Sequence, residues 1–533
     1  MATVREATFD LLRKLGITTI FGNPGSTELT FLQDFPDDFS YILGLQEAPA
    51  LSMADGFAQG TGNAAFVNLH TSPGLGNAMG AIVTAWHNHT PLIVTAGQQD
   101  RRHIALEPLL SGNLVDLAKP YVKRSYEPLR AQDVPGEILR AYHTAMQDPK
   151  GPVFLSIPMD DWDEQAEELP KEREIFHESA PNPEGLERFA KELAQAENPA
   201  IVAGAGIDRP GAFYEAVALA EKLKAAVWQA PAAPRMGFPQ DHPLFQGHLV
   251  FAQKQLKEQL EGYDVVLVIG APIFLYYPYV PEPSGRTVPE GTRLLHITED
   301  PRQAARAATG TSLVGDVALA IRSLTERLAE QTNRSGPPAR EIPPTPEGYT
   351  PIQGDYLLHT LQETLPEEVA IFEESSSLRS KFQEHIRITR PGGYNNAASG
   401  GLGYAMPASV GYKLAVPQRP VVCLIGDGSS MYSIQALWSA ARYGANVLFV
   451  VADNQGYYIL KGFRDAEVGE DANVPGLDVP GLDLVKVAAG LGVAGEKVEE
   501  GDDLEDALKR GLNQGDPYLL NVFIEPEVPQ LPS

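Results

Sequence analysis

The stretch at 420–458 constrains the fold of this chain more than any other part of it. An apolar, β-branched run at 421–425 predicts a buried parallel strand. Apolar residues at helical spacing between 434 and 441 predict a helix that ends at Gly444, and the run at 446–452 predicts a second strand. The loops after the two strands therefore lie at one edge of a parallel sheet, which is where α/β folds bind ligands.

These two loops carry the groups that a metal ion and a diphosphate require. Asp427 offers a carboxylate, Asn454 an amide oxygen and Gly456 a backbone carbonyl. Mg²⁺ is usually bound by one or two carboxylates together with phosphate oxygens. The N–H groups of Gly428 and Ser429, at the start of the predicted helix, would face the anion. A Gly-Asp-Gly sequence is also a common turn, so the spacing between the two loops carries most of the argument.

The composition of the chain bounds its class. Its 533 residues exceed what one hydrophobic core holds, so about two to four domains are expected. A formal net charge of −27 argues against a nucleic-acid partner and against an anionic membrane surface. The one cysteine, Cys423, falls in a predicted buried strand and permits no disulfide within the chain. No apolar run is long enough to span a bilayer, so we expect no membrane partner and a cytoplasmic location.

Alternating strand and helix patterns divide the chain into three α/β domains, each a doubly wound parallel sheet. The first alternation ends near residue 165, and we interpret the acidic, poorly periodic segment at 160–185 as a linker. A second alternation extends to about residue 330 and is followed by a proline-rich connector at 331–351. We predict domains at 1–180, 181–340 and 341–533.

Three polar side chains of the first domain directly follow predicted strands. Ser26, Glu47 and His70 would therefore meet at one edge of a parallel sheet and line one cleft. Each also has a purely structural interpretation. Ser26 could cap a helix at 27–35, Glu47 could favour a helix N-terminus, and His70 could be a hydrogen-bonded core imidazole.

Several segments in all three domains look like those of one enzyme family. They include 21–26 (FGNPGS), 45–48 (LQEA), 68–70 (NLH), 92–99, 265–272, 400–403 (GGLG) and 474–481. The loop pair around Asp427 and Asn454 is similar to that family's cofactor signature, a Gly-Asp-Gly followed some two dozen residues later by Asn-Asn. On these segments the chain resembles the thiamine-diphosphate-dependent 2-oxo-acid decarboxylases, and their benzoylformate branch in particular.

The resemblance implies how thiamine diphosphate and a Mg²⁺ (or Ca²⁺) ion are held. Glu47 matches the catalytic glutamate that hydrogen-bonds the pyrimidine ring. Leu402 matches the apolar residue that supports the bent cofactor, and the Gly400 carbonyl would accept from its amino group. The expected metal ligands are Asp427, Asn454 and Gly456. The other residues expected at the cofactor are Ser376, Ser377, Gly428, Ser429 and Tyr457.

The resemblance also implies a reaction, the non-oxidative decarboxylation of an aromatic 2-oxo acid to an aldehyde and CO₂ through an enamine on the cofactor. Ser26 matches a serine near the substrate carboxylate, and His70 matches a histidine that acts around substrate addition and decarboxylation. Leu460 and Phe463 match walls of the substrate pocket. In this family the pyrimidine and the diphosphate bind to different subunits, so a homodimer or a dimer of dimers is implied.

The chain departs from the benzoylformate pattern at four positions. Tyr277 stands where the branch has a second active-site histidine, and a phenol is a poorer proton relay at neutral pH than an imidazole. Ile459 replaces an alanine and should narrow the substrate pocket. Arg379, in place of a small hydroxyl residue, could bind a second anionic group or lie on the surface. Asp453 replaces the first asparagine of the cofactor signature.

These departures leave three further interpretations open. Tyr277 and Ile459 favour a carboligase of the acetohydroxyacid-synthase type, which would join the enamine to a carbonyl acceptor and form a 2-hydroxy ketone. A narrower pocket would also suit a smaller, aliphatic 2-oxo acid. A non-catalytic protein that binds thiamine diphosphate is the third alternative, and the presence of Ser26, Glu47 and His70 argues against it.

Overall fold

The computed structural model describes residues 2–167, 173–274, 277, 287–341, 343–346 and 350–531. It contains three six-stranded sheets in succession along the chain, and neighbouring strands in each sheet pair in parallel. The sheets lie within 19–158, 199–314 and 370–523. The predicted fold class of three doubly wound α/β domains is therefore confirmed, and the boundaries at 180 and 340 stay predictions.

The first sheet has the strand order β2-β1-β3-β4-β6-β5. Its strands are β1 (Thr19–Gly22), β2 (Ser40–Leu43), β3 (Ala65–Leu69), β4 (Leu92–Gln98), β5 (Ser125–Tyr126) and β6 (Val153–Pro158). The helices of this part are α1 (Val4–Lys14), α2 (Leu29–Leu32), α3 (Glu47–Thr61), α4 (Thr71–Asn88), α5 (Leu114–Ala118) and α6 (Val134–Met146). Strands β3 and β4 are buried along their whole length, as is usual for inner strands of a parallel sheet that is covered on both faces.

The second sheet has the order β12-β11-β10-β7-β8-β9. Its strands are β7 (Pro199–Ala203), β8 (Ala226–Gln229), β9 (Phe245–His248), β10 (Val265–Ile269), β11 (Arg293–Thr298) and β12 (Thr311–Val314). Its helices are α7 (Pro183–Gln195), α8 (Ala205–Asp208), α9 (Phe213–Leu223), α10 (Gln253–Gln259), α11 (Pro301–Arg306) and α12 (Val317–Arg327).

The third sheet, β14-β13-β15-β16-β18-β17, has the same order of strands along its part of the chain as the first sheet. Its strands are β13 (Ala370–Glu374), β14 (Tyr394–Asn395), β15 (Val421–Gly426), β16 (Leu448–Asp453), β17 (Ala494–Val498) and β18 (Tyr518–Phe523). Its helices are α13 (Gly354–Thr364), α14 (Arg379–His385), α15 (Ala405–Ala415), α16 (Asp427–Ser430), α17 (Ala436–Tyr443), α18 (Tyr458–Glu467), α19 (Leu484–Gly490) and α20 (Gly501–Asn513). Gly444 ends α17 in the left-handed conformation (φ 63°), as predicted.

Two local expectations were wrong. The helix expected at 27–35 is a 3₁₀ turn, Ser26–Glu28, followed by the single helical turn α2. Ser26 is therefore the first residue of the 3₁₀ turn, and Gly25 is its N-cap.

The start of the predicted linker belongs to the first domain. Trp162 is buried against Phe31, with 4.5 Å between ring centroids, and Asp161 pairs with Arg101 at 2.7 Å. The acidic residues around Trp162 made the segment resemble a linker, although Trp162 itself is buried in the first domain.

Helices α3 and α15 pack the first domain against the third at very short range. A Cβ atom on Gly56 would lie 1.9 Å from the Ala408 carbonyl oxygen, and one on Gly411 would lie 1.8 Å from the Met53 carbonyl oxygen. Only glycine permits this approach of the two backbones. Because α3 begins at Glu47 and α15 follows Leu402, this contact sets how two of the predicted cofactor residues are placed.

Arg235 joins all three domains near this contact. Its guanidinium donates to Asp208 at 2.6 Å, to Gln59 at 2.5 Å and to Asn395 at 3.2 Å. The planar guanidinium holds its N–H groups in a rigid fork, so these bonds fix the orientation of the three partners as well as their distance. Within the described ranges, no helix has both the length and the apolar content needed to cross a bilayer.

Candidate active site

Three strands of the third sheet bring their following loops to one edge. Strands β15 and β16 lie side by side, with Gly426 opposite Ala452 in the register. Strand β13 pairs with the other side of β15 and places Glu374 opposite Ile425. The chain order reverses between β13 and β15, which is the point of a doubly wound sheet where ligands bind.

A cavity at this edge is lined by nearly all of the residues that the sequence assigned to the cofactor. Its walls include Ser376, Ser377, Leu402, Asp427, Gly428, Ser429, Asn454, Gly456, Tyr457 and Ile459. Gly400 is absent from the lining and lies two residues before Leu402, in the left-handed conformation (φ 72°). A Cβ atom on Gly428 would lie 2.5 Å from the Tyr457 ring, so glycine is needed where the backbone turns into α16.

The oxygen atoms of Asp427 fit a divalent cation. Asp427 is 3% exposed, and its Oδ2 atom has no hydrogen-bond partner among the described residues. Burial raises the pKa of Asp427 to about 6, and the charge of Asp453 adds to this effect. A buried carboxylate is costly without a partner, and a metal ion would supply one. The buried amide of Asn454 and the backbone of Gly456 line the same cavity, so these three residues could hold a metal.

Asp453, the departure beside the predicted metal site, is engaged within the fold. Its Oδ1 accepts the N–H of Gln455 at 3.2 Å, and its Oδ2 accepts the side-chain amide of Asn521 at 3.0 Å. Because both carboxylate oxygens of Asp453 are hydrogen-bonded, Asp427 is the carboxylate available to a cation. The negative charge of Asp453 contributes to the raised pKa of Asp427.

Glu374 anchors the loop that carries Leu402, a role that the sequence did not reveal. Its carboxylate accepts three backbone N–H groups, from Gly403 at 2.6 Å and from Tyr404 and Ala405 at 2.8 Å. These N–H groups have no partner within α15 because they lie at its N-terminal end. Burial nevertheless raises the pKa of Glu374 to about 7, against the opposing effect of these hydrogen bonds.

Arg379 is neither a free anion-binding group nor an ordinary surface residue. Its Nη2 atom lies 3.2 Å from Oε2 of Glu373, a fully buried carboxylate, and 28% of the Arg379 side chain is exposed. The side chain of Glu373 also accepts Tyr394 and Asn396 at 3.0 and 2.8 Å. Arg379 therefore balances a buried charge next to the turn that bears Ser376 and Ser377.

The three polar residues of the first domain follow β1, β2 and β3, as the sequence predicted. Glu47 is buried at the start of α3, where Asn77 donates to its Oε2 at 3.0 Å and Asn23 donates to its Oε1 at 3.4 Å. His70 is the N-cap of α4, and Ser26 is exposed in the turn after β1. The two asparagines that orient Glu47 were not singled out from the sequence. Asn23 stands in the loop after β1, and Asn77 lies within α4, the helix that follows β3.

His70 is in contact with a buried carboxylate that the sequence gave no reason to select. Its Nδ1 atom lies 2.8 Å from Oε2 of Glu28, whose side chain is fully buried. Glu28 is in the turn directly after Ser26, and only its tertiary environment distinguishes it from the other acidic residues of the chain.

The predicted substrate-pocket residues lie on and beside α18. The N–H of Ile459 donates to Ser377 Oγ at 3.1 Å, which ties α18 to the cofactor edge. Tyr277 packs against Phe463 with 5.2 Å between ring centroids, and it is 64% exposed. Leu460 is 45% exposed. These side chains therefore form an open surface beside the cavity.

The cavity and the first-domain residues are separate within one chain. Every residue that lines the cavity comes from position 375 or later, so Ser26, Glu47 and His70 are not part of it. The candidate active site thus consists of two groups of side chains on two sheets.

Comparison with known proteins identifies the family. Three domain families match the chain in order: the thiamine pyrophosphate enzyme N-terminal TPP binding domain at 2–116, the central domain at 186–324 and the C-terminal TPP binding domain at 376–522. The chain belongs to the thiamine pyrophosphate enzyme family. The predicted cofactor, thiamine diphosphate, is thereby supported.

Relatives in this family confirm the resemblance to the benzoylformate branch. The chain is 43% identical to benzoylformate decarboxylase of Pseudomonas aeruginosa over 530 residues, which cover 98% of this chain and 99% of the relative. The crystal structure of benzoylformate decarboxylase from Polynucleobacter necessarius is 43% identical, with a TM-score of 0.97 over 100% of both chains. A 4-hydroxybenzoylformate decarboxylase of Rhodococcus jostii is 42% identical, with a TM-score of 0.94 over 99% of this chain and 100% of that one. A probable acetolactate synthase large subunit of Methanocaldococcus jannaschii is more distant, at 27% identity over 98% of this chain and 92% of the relative.

Proposed function

We propose that this protein decarboxylates an aromatic 2-oxo acid of the benzoylformate type to an aldehyde and CO₂, with thiamine diphosphate as cofactor. The observation that carries the proposal is 43% identity to a benzoylformate decarboxylase along the whole chain. The placement of Ser26, Glu47 and His70 at one sheet edge supports it, because a 2-oxo-acid decarboxylase needs polar groups around the reacting carbonyl.

The third domain would hold the diphosphate through a Mg²⁺ or Ca²⁺ ion. Asp427, Asn454 and Gly456 are the proposed ligands, and the unpartnered Oδ2 of Asp427 supports this assignment. The N–H groups of Gly428 and Ser429 would bind the anion, while Leu402 would support the cofactor from the side. When bound, thiamine diphosphate supplies the electron sink that decarboxylation of a 2-oxo acid requires.

The first domain would supply the proton chemistry. Glu47 holds and moves a proton at its carboxylate oxygens, which Asn23 and Asn77 orient, toward the pyrimidine half of the cofactor. His70 would exchange a proton with the substrate through its second ring nitrogen, Nε2. Ser26 would donate a hydrogen bond from its hydroxyl to the substrate carboxylate. Glu47 is buried, which limits the access of water to its carboxylate, whereas the His70 side chain is 18% exposed and can meet a ligand.

A second copy of the chain would complete the site. No first-domain residue that the structure describes lines the cavity around Asp427, and apolar side chains beside it are exposed, including Met431 (41%), Tyr432 (58%) and Leu460. A homodimer, or a dimer of dimers, that places Glu47 of one copy over the cavity of another would cover these side chains and unite the two groups of residues. The cytoplasmic location stays a prediction of the sequence.

The test is a product analysis. The protein is incubated with thiamine diphosphate, Mg²⁺ and a panel of aryl and aliphatic 2-oxo acids, and CO₂, aldehyde and hydroxy ketone are measured separately. We expect CO₂ and aldehyde in equal amounts from benzoylformate, and a loss of both in Glu47→Gln. No turnover of any 2-oxo acid by the native protein would contradict the proposal.

Carboligation is a second candidate activity, favoured by Tyr277. A phenol in contact with Phe463, in place of an imidazole, would deliver a proton to the decarboxylated substrate more slowly and leave it more time to add to an aldehyde. The same assay decides this point, since carboligation appears as hydroxy ketone formed at the expense of free aldehyde.

A further inference from the structure

Glu28 is a buried carboxylate whose two oxygens are both fully used. Its Oε1 accepts the N–H of Gly97 at 2.9 Å and the hydroxyl of Thr27 at 2.8 Å. Its Oε2 accepts the N–H of Gly25 at 2.9 Å and lies 2.8 Å from Nδ1 of His70. Two of these neighbours are backbone N–H groups, which can only donate, and the third is the Thr27 hydroxyl, which must donate to a carboxylate oxygen.

The imidazole nitrogen that faces this carboxylate meets acceptors only. Besides Glu28 Oε2, the Oγ1 of Thr27 lies 3.2 Å from Nδ1 of His70. The proton of that hydroxyl is already directed at Glu28 Oε1, so Thr27 also presents a lone pair to the ring. A contact with two acceptors requires a proton on Nδ1. The neutral imidazole is then the Nδ1–H tautomer, with its lone pair on Nε2.

Two glycines keep space for this arrangement. A Cβ atom on Gly25 would lie 2.1 Å from His70 Nδ1, and one on Gly97 would lie 2.2 Å from Glu28 Oε1. Any side chain at either position would push the ring or the carboxylate out of place. Gly25 follows β1 and Gly97 lies within β4, so both contacts are built into the sheet that carries His70.

The second ring nitrogen is left for other chemistry. In the described part of the chain, both hydrogen-bond contacts of the His70 side chain are made at Nδ1, and 18% of the side chain is exposed. Nε2 is thus the atom that can accept a proton from a ligand or return one to it. A proton gained at Nε2 leaves by the same atom, and Glu28 stays an acceptor throughout.

We infer that Glu28 is a positioning residue that fixes the tautomer and the orientation of His70, so that Nε2 is presented to the substrate. This inference rests on the proposed function only for the role of His70 in turnover. The tautomer itself is a property of the folded protein and can be measured without substrate. A purely structural Glu28, present only to bind the N–H groups of Gly25 and Gly97, would leave the tautomer of His70 unspecified.

The first test measures the tautomer directly. Protein labelled with ¹⁵N-histidine is examined by solid-state NMR as a sediment at pH 8, and the His70 signals are assigned by their loss in His70→Gln. We expect protonated Nδ1 and unprotonated Nε2 in the native protein. A native His70 that carries its proton on Nε2 would overturn the inference.

The second test uses Glu28→Gln, which keeps the size of the side chain but gives it an N–H donor. The amide can donate to Nδ1, so we expect the His70 proton to move to Nε2. In that case kcat for benzoylformate should fall by about 10²–10⁴-fold, the usual contribution of a positioned general acid or base, with little change in KM. A Glu28→Gln protein that keeps both the native tautomer and native kcat would refute the inference.

Two further variants distinguish the effect of Glu28 on the His70 ring from a general loss of protein stability. Asp161→Asn removes another buried carboxylate of the same domain, one that pairs with Arg101, and should change neither the His70 tautomer nor kcat by more than about threefold. Glu28→Asp keeps the charge, so it should preserve the tautomer while lowering kcat by about tenfold, because the acceptor is withdrawn by one methylene group. If Glu28→Gln fails to fold, Glu28→Asp decides, and inversion of its tautomer would refute the inference. If the native protein turns over no 2-oxo acid, the proposed function fails, and the NMR result still decides the tautomer.

Discussion

The contact between α3 and α15 makes a sharp prediction about a single methyl group. In Gly411→Ala the new Cβ would lie 1.8 Å from the Met53 carbonyl oxygen, whereas real Cβ atoms essentially never approach closer than 3.0 Å. The two helices must therefore separate by at least about 1.2 Å, since backbone atoms on both sides leave no flexible group to yield. Overpacking of this kind costs about 1–3 kcal/mol, and it exceeds the gain in helix propensity of about 0.5–1 kcal/mol.

The matched control is Gly136→Ala in α6. It makes the same chemical change in a helix, and a Cβ atom there meets nothing within 4 Å. Thermal unfolding should show a lower midpoint for Gly411→Ala and an equal or higher midpoint for Gly136→Ala. Because α3 starts at Glu47 and α15 follows Leu402, Gly411→Ala should also lower decarboxylase activity. Equal unfolding temperatures for the two variants would show that the backbones of α3 and α15 do not approach each other this closely.

Three further variants address the substrate and the buried charges. Tyr277→His should raise free aldehyde relative to hydroxy ketone in the product assay, and an unchanged ratio would remove the argument for slow protonation. Ile459→Ala should widen the cavity and raise kcat/KM for 4-substituted benzoylformates over benzoylformate by about tenfold, the low end of what methyl groups contribute to selectivity; a fall in that ratio would place Ile459 outside the substrate pocket. The pKa of Glu374 is raised from 4.5 to about 7, so its neutral form favours the folded state and this stability is lost as pH rises from 4.5 through 7. Glu374→Gln should therefore remove roughly 2.5 kcal/mol of pH dependence between pH 5 and pH 8, measured as the free energy of unfolding by denaturant titration at each pH, and an unchanged pH dependence would contradict this origin.

The site residues that could be predicted from the sequence are those that directly follow a strand. Asp427 and Asn454 each follow an apolar strand, and strands in a parallel sheet end at one edge, so their proximity followed from the pattern alone. The same logic placed Ser26, Glu47 and His70. The sequence pattern is enough to predict which side chains come together when the strands before them determine their positions.

The residues that escaped prediction act through burial and long-range contact. Glu28 and Glu374 resemble many other acidic residues in the chain, and only the folded structure shows them buried among hydrogen-bond donors. Trp162 was assigned to a linker because the charges around it hide the pocket formed by Phe31. Arg379 could not be assigned because its partner, Glu373, points inward at the end of a buried strand, where a charge is not expected.

We propose that Glu47 of one copy of the chain and the cavity around Asp427 of another act as one cofactor site. Mixing two inactive variants, Glu47→Gln and Asp427→Ala, tests it most directly. The two are unfolded and refolded together, or co-expressed, and benzoylformate decarboxylation is measured with thiamine diphosphate and Mg²⁺. In mixed dimers one of the two sites combines a native Glu47 with a native Asp427, so random mixing should restore about a quarter of native activity. Mixed dimers that form and show no activity would contradict the shared site.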